Sequence, residues 1–148
     1  MDNRLLMTIG YQGLKPEDFL EKLKENNVSL LVDVRQNPIS RKPGFSKTRL
    51  ETLLQENDID YVHLQRLGTP RELRQDLKDN QDFEAFLEKY QAYLGTQEES
   101  LQRLKDLVEE LNCCLMCFEK DYQECHRQAI SSTIEEMFND NIEVRHII

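Results

Sequence analysis

Short apolar runs alternate with amphipathic stretches along the whole chain, and this alternation narrows the fold more than any other feature. It is the pattern of a mostly parallel sheet flanked by helices. Residues 5–11, 29–35, 60–68, 113–119 and 143–147 read as strands, and residues 29–35 (SLLVDVR) as a buried one. Residues 15–27 open with Pro16 and carry Phe19, Leu20 and Leu23 at helical spacing. Residues 47–57 place Leu50, Leu53 and Leu54 on one helical face, and residues 125–139 do the same with Ile130, Ile134, Met137 and Phe138. Residues 71–112 read as two or three helices, one lined by Phe83, Phe86, Leu87, Tyr90 and Leu94, another by Leu101, Leu104, Val108 and Leu111, with Gly95-Thr96 between them. The expectation is one α/β domain over residues 1–148. It is a three-layer α/β/α sandwich with a mostly parallel sheet of about five strands and a helical insertion between the third and fourth.

Composition limits the partners. The chain has 148 residues, 39% hydrophobic and 32% charged, which is enough for a buried core. Its formal net charge of -9 repels nucleic acid and anionic membrane over most of the surface, so an anionic partner must meet a local basic patch. No run approaches the roughly 18 apolar residues of a membrane span. Met1-Asp2-Asn3-Arg4 does not open a signal peptide. The chain is therefore expected in the cytoplasm, without a membrane partner, and its four cysteines, all between positions 113 and 125, are expected to be reduced. Nothing in the sequence sets the oligomeric state.

The basic patch lies between positions 34 and 50. Arg35, Arg41, Lys42, Lys47 and Arg49 fall there with no acidic residue among them. Pro38, Ser40, Pro43-Gly44, Phe45 and Ser46 mark a loop that precedes a helix. Ser46 is a candidate N-cap, so free backbone N–H groups would add to an anion site, and arginine's planar fork suits phosphate or carboxylate. The alternative is a solvated loop paired to nearby carboxylates. Asp33 and Arg35 share parity in their strand. They either pair with each other, or serve as acid/base and anion binder, or do both with Asp33 orienting Arg35.

If the strands are parallel, residues 11–13, 33–46 and 119–127 meet at the carboxyl edge of the sheet, where ligands of open α/β sheets bind. In the last segment Asp121 and Glu124 have capping-box spacing, which would place Cys125, His126 and Arg127 in the first turns of a helix. A Cys125 nucleophile with His126 and Arg127 support is chemically possible there. The carboxylates of Glu119, Asp121 and Glu124 work against a thiolate, and a positioning or structural role for the trio stands beside that reading. Cys114 and Cys117 have half-site zinc spacing, yet three residues apart on a strand they face opposite ways, so no metal is expected. No cofactor motif is present.

These residues together resemble the domain of unknown function 488 family from end to end. The features are Thr8-Ile9-Gly10-Tyr11, Leu31-Val32-Asp33-Val34-Arg35 with Pro38, Ser40-Arg41 with Pro43-Gly44-Phe45-Ser46, Tyr61 with His63-Leu64 and Leu67-Gly68, and Cys117 with Glu119 and Cys125-His126-Arg127. The resemblance implies a shared α/β fold and a shared site built from the Asp-x-Arg, Ser-Arg and Cys-His-Arg motifs, and no reaction. One departure lies at Tyr11-Gln12, where members commonly carry a small residue or His. The end of the Asp33-Val34-Arg35 strand alone resembles rhodanese-type domains.

Three functional readings follow. The first is an enzyme acting on a phosphate-bearing or other anionic substrate, a nucleotide or nucleic acid. Arg35, Ser40, Arg41, Ser46 and Arg127 would bind the anion, Asp33, Glu119, Cys125 and His126 would carry the chemistry, and Tyr11, Pro38 and Phe45 would line the pocket. In this reading Arg35→Ala and Arg127→Ala lose anion binding and keep the fold. The second is a noncatalytic nucleotide or nucleic-acid module. The third is a protein-interaction domain using the helical insertion.

Overall fold

The computed structural model describes residues 4–38, 40, 42–120 and 126–148. Five strands form one parallel sheet: β1 (Arg4–Gly10), β2 (Leu30–Asp33), β3 (Asp60–His63), β4 (Cys113–Cys117) and β5 (Ile142–His146), in the order β3-β2-β4-β1-β5. Among the described residues six α-helices surround it: α1 (Pro16–Glu25), α2 (Lys47–Gln55), α3 (Arg71–Asn80), α4 (Phe83–Leu94), α5 (Glu98–Glu110) and α6 (Arg127–Met137). The expected α/β class is what the chain adopts, with α3 to α5 inserted between β3 and β4.

Burial explains the strand order. Every residue of β2 and β4 is buried, as interior strands covered on both faces must be. At the sheet's edges β3 is only partly buried, and β5 alternates, with Ile142 in and Glu143 out. The period of two sorts side chains into two cores. On one face Leu6, Val32, Cys113, Leu115 and Cys117 pack under α4, α5 and α6 through Tyr90, Leu104, Val108 and Ile130. On the other Met7, Ile9, Leu31, Cys114 and Met116 pack under α1 and α2 through Phe19, Leu23, Leu50 and Leu54. Each fully buried side chain of this size contributes roughly 1.5–3 kcal/mol. Cys114 and Cys117 lie on opposite faces, as their spacing demands.

Local chemistry sets the ends. α1 starts on Pro16, with Glu17 and Asp18 in its first turn and Lys22 and Lys24 in its last, matching the helix dipole. Asp82 caps α4 by accepting from the Ala85 N–H at 3.1 Å. The 71–112 region resolves into three helices. The break after α3 falls at Gln81, in the left-handed region at φ 52°, and no glycine marks it. β2 stops at Asp33, short of the expected Arg35, because the Asp33 side chain captures the Arg35 N–H. The third strand ends at His63, not Gly68, because the chain turns into a short 3-10 helix at Gln65–Leu67.

Candidate functional site

The connections leaving β2 and β1 run to α2 and α1 on one face, while that leaving β4 runs to α6 on the other. Adjacent strands whose connections diverge leave a crevice at their carboxyl ends. Glycine lets the loops close there. A Cβ on Gly10 would stand 1.7 Å from the Glu119 carbonyl oxygen, and one on Gly68 would stand 2.2 Å from the Gln36 nitrogen. The Tyr11 and Gln12 N–H groups donate to the carbonyls of Cys117 and Phe118 at 3.2 and 2.8 Å, fixing the β4 exit against the β1 exit.

A cleft of about 630 Å³ opens at this edge. Its lining comes from Tyr11 after β1, Arg35, Gln36, Asn37, Ser40 and Lys42 after β2, Thr69 after the 3-10 turn, Arg74, Leu77 and Lys78 on α3, Phe86 on α4, Cys117, Phe118 and Glu119 at the end of β4, and His126 before α6. The three segments expected at the edge do meet here. The volume falls in the range of small-molecule sites.

Asp33 and Arg35 pair with each other inside the protein. Asp33 is fully buried, and its Oδ1 accepts from the Arg35 N–H and Nε at 3.0 and 2.9 Å. Its Oδ2 accepts from Arg35 Nη2 at 2.7 Å and the Tyr61 hydroxyl at 2.6 Å. Those bonds fill a carboxylate's acceptor capacity, which is the internal pairing that the sequence left open beside an acid/base role. Arg35 Nη1 donates to the Phe45 carbonyl at 2.7 Å and the Tyr11 hydroxyl at 3.3 Å, leaving one Nη2 proton without a partner among the described residues. Burial alone would lower the Arg35 pKa. The adjacent Asp33 carboxylate outweighs this and fixes the guanidinium in its charged form. Arg35 thus presents little more than an edge to the cleft. Burial and the Asp33 carboxylate together push the Tyr61 hydroxyl well above its ordinary pKa.

His126 lines the cleft but is nearly buried. Its Nε2 lies 2.9 Å from the Val34 carbonyl, so that nitrogen carries a proton and donates. Burial lowers its pKa to about 4, which keeps the ring neutral near pH 7. Arg127 stands behind the wall, 1% exposed, with Nη2 donating to the Glu119 carbonyl at 2.9 Å. Arg127, expected as an anion binder, thus holds the β4 exit through that bond and is not among the described residues lining the cleft. Phe45 is likewise a core residue, stacked on Tyr11 with ring centroids 4.5 Å apart. Pro38 accepts from the Lys47 N–H at 2.9 Å. Neither Phe45 nor Pro38 is among the residues lining the cleft.

Ser46 does stand at the N-cap of α2, but its hydroxyl makes no bond to that helix. It accepts from the Ser40 N–H at 3.1 Å and donates to the Ser40 carbonyl at 3.2 Å, stapling the loop. Ser40 Oγ in turn accepts from the Lys42 N–H at 3.1 Å. Lys47 and Arg49 are exposed on α2, away from the cleft lining. Arg41, Cys125 and the Asp121/Glu124 capping box lie outside the described residues. Cys117 is disulfide-bonded, which corrects the expectation of four reduced thiols, whereas Cys113 and Cys114 are free and buried.

Two further cations of the cleft wall come from an unexpected place. Arg74 and Lys78 lie one turn apart on α3 and flank Leu77 in the cleft wall. Arg74 Nη2 donates to Gln36 Oε1 at 2.7 Å, tying α3 to the β2 loop. Among the described lining residues, Lys42, Arg74 and Lys78 join Arg35, whose charge Asp33 already pairs, and Glu119 is the carboxylate. The sequence signal was present as Arg74 and Lys78 at i,i+4, hidden because α3 carries acids of its own on its other faces.

An all-parallel α/β domain with a small cationic cleft at the carboxyl edge of its sheet is the class that these features define. The family model described as Domain of unknown function DUF488 matches residues 15–134, and the chain belongs to that family. No curated protein and no solved structure matches it. Among the described residues no helix is long and apolar enough to cross a membrane.

Proposed function

We propose that the cleft binds a small phosphate-bearing molecule. The observation that carries this reading is the convergence of Lys42, Arg74 and Lys78, from two separate elements, on one recess of a chain with net charge -9. Cations that converge without a bound anion repel one another, and a phosphate relieves that repulsion. The recess favours a small molecule over a polymer. A nucleic-acid strand needs a basic track across a face, and the acidic remainder of this chain repels it. Should the protein also turn its ligand over, Glu119 is the described carboxylate in the lining, since Asp33 is saturated and the Nε2 proton of His126 is held by Val34.

Thermal unfolding of the full chain against inorganic phosphate, pyrophosphate and sugar phosphates tests the reading. A ligand at about 100 times its Kd adds roughly 2.7 kcal/mol of stability. Lys78→Glu and Arg74→Glu should each weaken binding about tenfold or more and leave unliganded stability within roughly 0.5 kcal/mol, because both side chains are exposed. Binding unaffected by either charge reversal, or no shift with any phosphate compound, removes the cleft as an anion site.

A further inference from the structure

The geometry points to a ligand that carries a planar aromatic ring beside its phosphate, a nucleoside monophosphate in size and chemistry, with the ring seated on Phe118. This rests on the phosphate reading above and narrows it to one substrate class.

The argument begins with exposure. Phe118 and the terminal Ile148 are the large hydrophobic side chains left exposed among the described residues, and Phe118 is 44% exposed. An exposed phenylalanine is unremarkable on an open surface. This one lines the cleft. Its backbone is held, since the Phe118 carbonyl accepts from the Gln12 N–H at 2.8 Å. Its ring meets the Tyr11 ring edge-on, with centroids 5.4 Å apart and planes at 79°. Tyr11 is fixed in turn by its stack on Phe45 and its contact with Arg35 Nη1. A ring on a fixed backbone, braced from one side and open on the other, is a preorganised stacking surface.

The rest of the wall has matching polarity. Leu77 and Phe86 add apolar surface, and Arg74 and Lys78 stand on either side of Leu77 along α3. One recess therefore offers an apolar, aromatic part and a cationic part. Inorganic phosphate or a sugar phosphate uses only the second. A nucleotide uses both, and about 630 Å³ accommodates one base, one sugar and one phosphate. Stacking on an aromatic side chain accepts any base, so the inference covers nucleotides as a class.

The test is calorimetric titration of the full chain with AMP, ribose phosphate, adenosine and inorganic phosphate, repeated on Phe118→Ala, Phe118→Trp and Lys78→Glu. The expected result is AMP binding at least tenfold tighter than ribose phosphate, the ratio that about 1.4 kcal/mol of stacking supplies. Phe118→Ala should abolish that ratio without changing ribose phosphate affinity, and Phe118→Trp should preserve it. Lys78→Glu should weaken AMP and ribose phosphate alike and leave adenosine unchanged. If ribose phosphate binds as tightly as AMP, the ring proposal is overturned and the phosphate reading stands. If adenosine binds as tightly as AMP and Lys78→Glu has no effect, the phosphate reading fails instead. If none of the four binds, both fall together. Melting curves of each variant without ligand verify folding, and the exposure of both side chains predicts them to be near that of the parent.

Discussion

Asp33 grips the residue two places after it. It accepts from Arg35 through the backbone N–H, Nε and Nη2 at 3.0, 2.9 and 2.7 Å, so that side chain and main chain close around one carboxylate. Arg35 carries the connection onward to Tyr11 and the Phe45 carbonyl, and Tyr61 closes the network on Asp33. The β1 and β2 exits and strand β3 are thus joined through one buried ion pair. Removing one partner of such a pair strands the other's charge and costs roughly 3–5 kcal/mol. Arg35→Ala and Asp33→Ala are each expected to lower the unfolding free energy measured by urea titration by that amount, and Tyr61→Phe by about 1.5–3 kcal/mol for one hydrogen bond to a charged group. This reverses the sequence expectation that Arg35→Ala spares the fold. Arg35→Ala stability within about 1 kcal/mol of the parent would show the pair to be dispensable.

His126 makes stability depend on pH. Burial depresses its pKa from 6.5 to about 4 in the folded protein. Below pH 6.5 the unfolded chain therefore binds a proton that the folded chain refuses. Stability from this group is complete above the unfolded pKa and is lost as pH falls through 6.5 toward about 4. The full difference is about 3 kcal/mol. Carboxylates titrate at the lower end of this range, so the informative quantity is the difference between the parent and His126→Gln, whose amide can still donate to the Val34 carbonyl. That difference should grow as pH rises from 4 to 7, and parallel stability curves for the two proteins would remove His126 as the cause.

The sheet was legible in the sequence because its strands are short and apolar. The parity of Cys113, Cys114 and Cys117 predicts which side of β4 each faces. That residues 11, 35–37, 40 and 119 converge on one cleft was legible too, since the carboxyl-edge rule needs only strand direction. Side-chain roles were not. Arg35, Arg127 and Phe45 look like ligand groups in a one-dimensional reading. Only three dimensions reveal that Asp33, the Glu119 carbonyl and the Tyr11 ring already occupy them. Conversely, Arg74 and Lys78 lie about 40 residues from the loop they face and look like an ordinary solvated helix surface. Phe118 reads as the continuation of a buried strand, and its exposure follows from β4 ending one residue earlier.

The two thiols that are free among the described residues, Cys113 and Cys114, should be inert in the folded protein. Cys113 is buried among the side chains under α4 to α6, and burial pushes its pKa up to about 12. Burial raises the Cys114 pKa as well, on the opposite face. A thiolate is the reactive form, and neither position favours it. Alkylation with iodoacetamide at pH 8 should leave both unmodified in the native state and label both in denaturant, as mass spectrometry after digestion would show. Rapid native labelling of either one would mean that the sheet opens locally at β4.

Gly10 offers the sharpest test of how the cleft is assembled. Its missing Cβ admits the Glu119 carbonyl, which would otherwise sit at 1.7 Å, and the obstacle is backbone that no side-chain rotation can relieve. Gly10→Ala must push the β4 exit away from β1. Overpacking of this kind costs roughly 1–3 kcal/mol. The displaced segment carries Phe118 and Glu119, so ligand affinity should fall with stability although position 10 is outside the cleft lining. Gly95 supplies the control. It has ordinary helical dihedrals, φ -60° and ψ -19°, and an added Cβ would meet its nearest neighbour at 3.5 Å. Gly95→Ala should be neutral or stabilising by about 0.4–1 kcal/mol through the unfolded chain. If the two substitutions proved equally harmless in melting and in ligand titration, the close approach of Gly10 to Glu119 would not be what holds the cleft in shape.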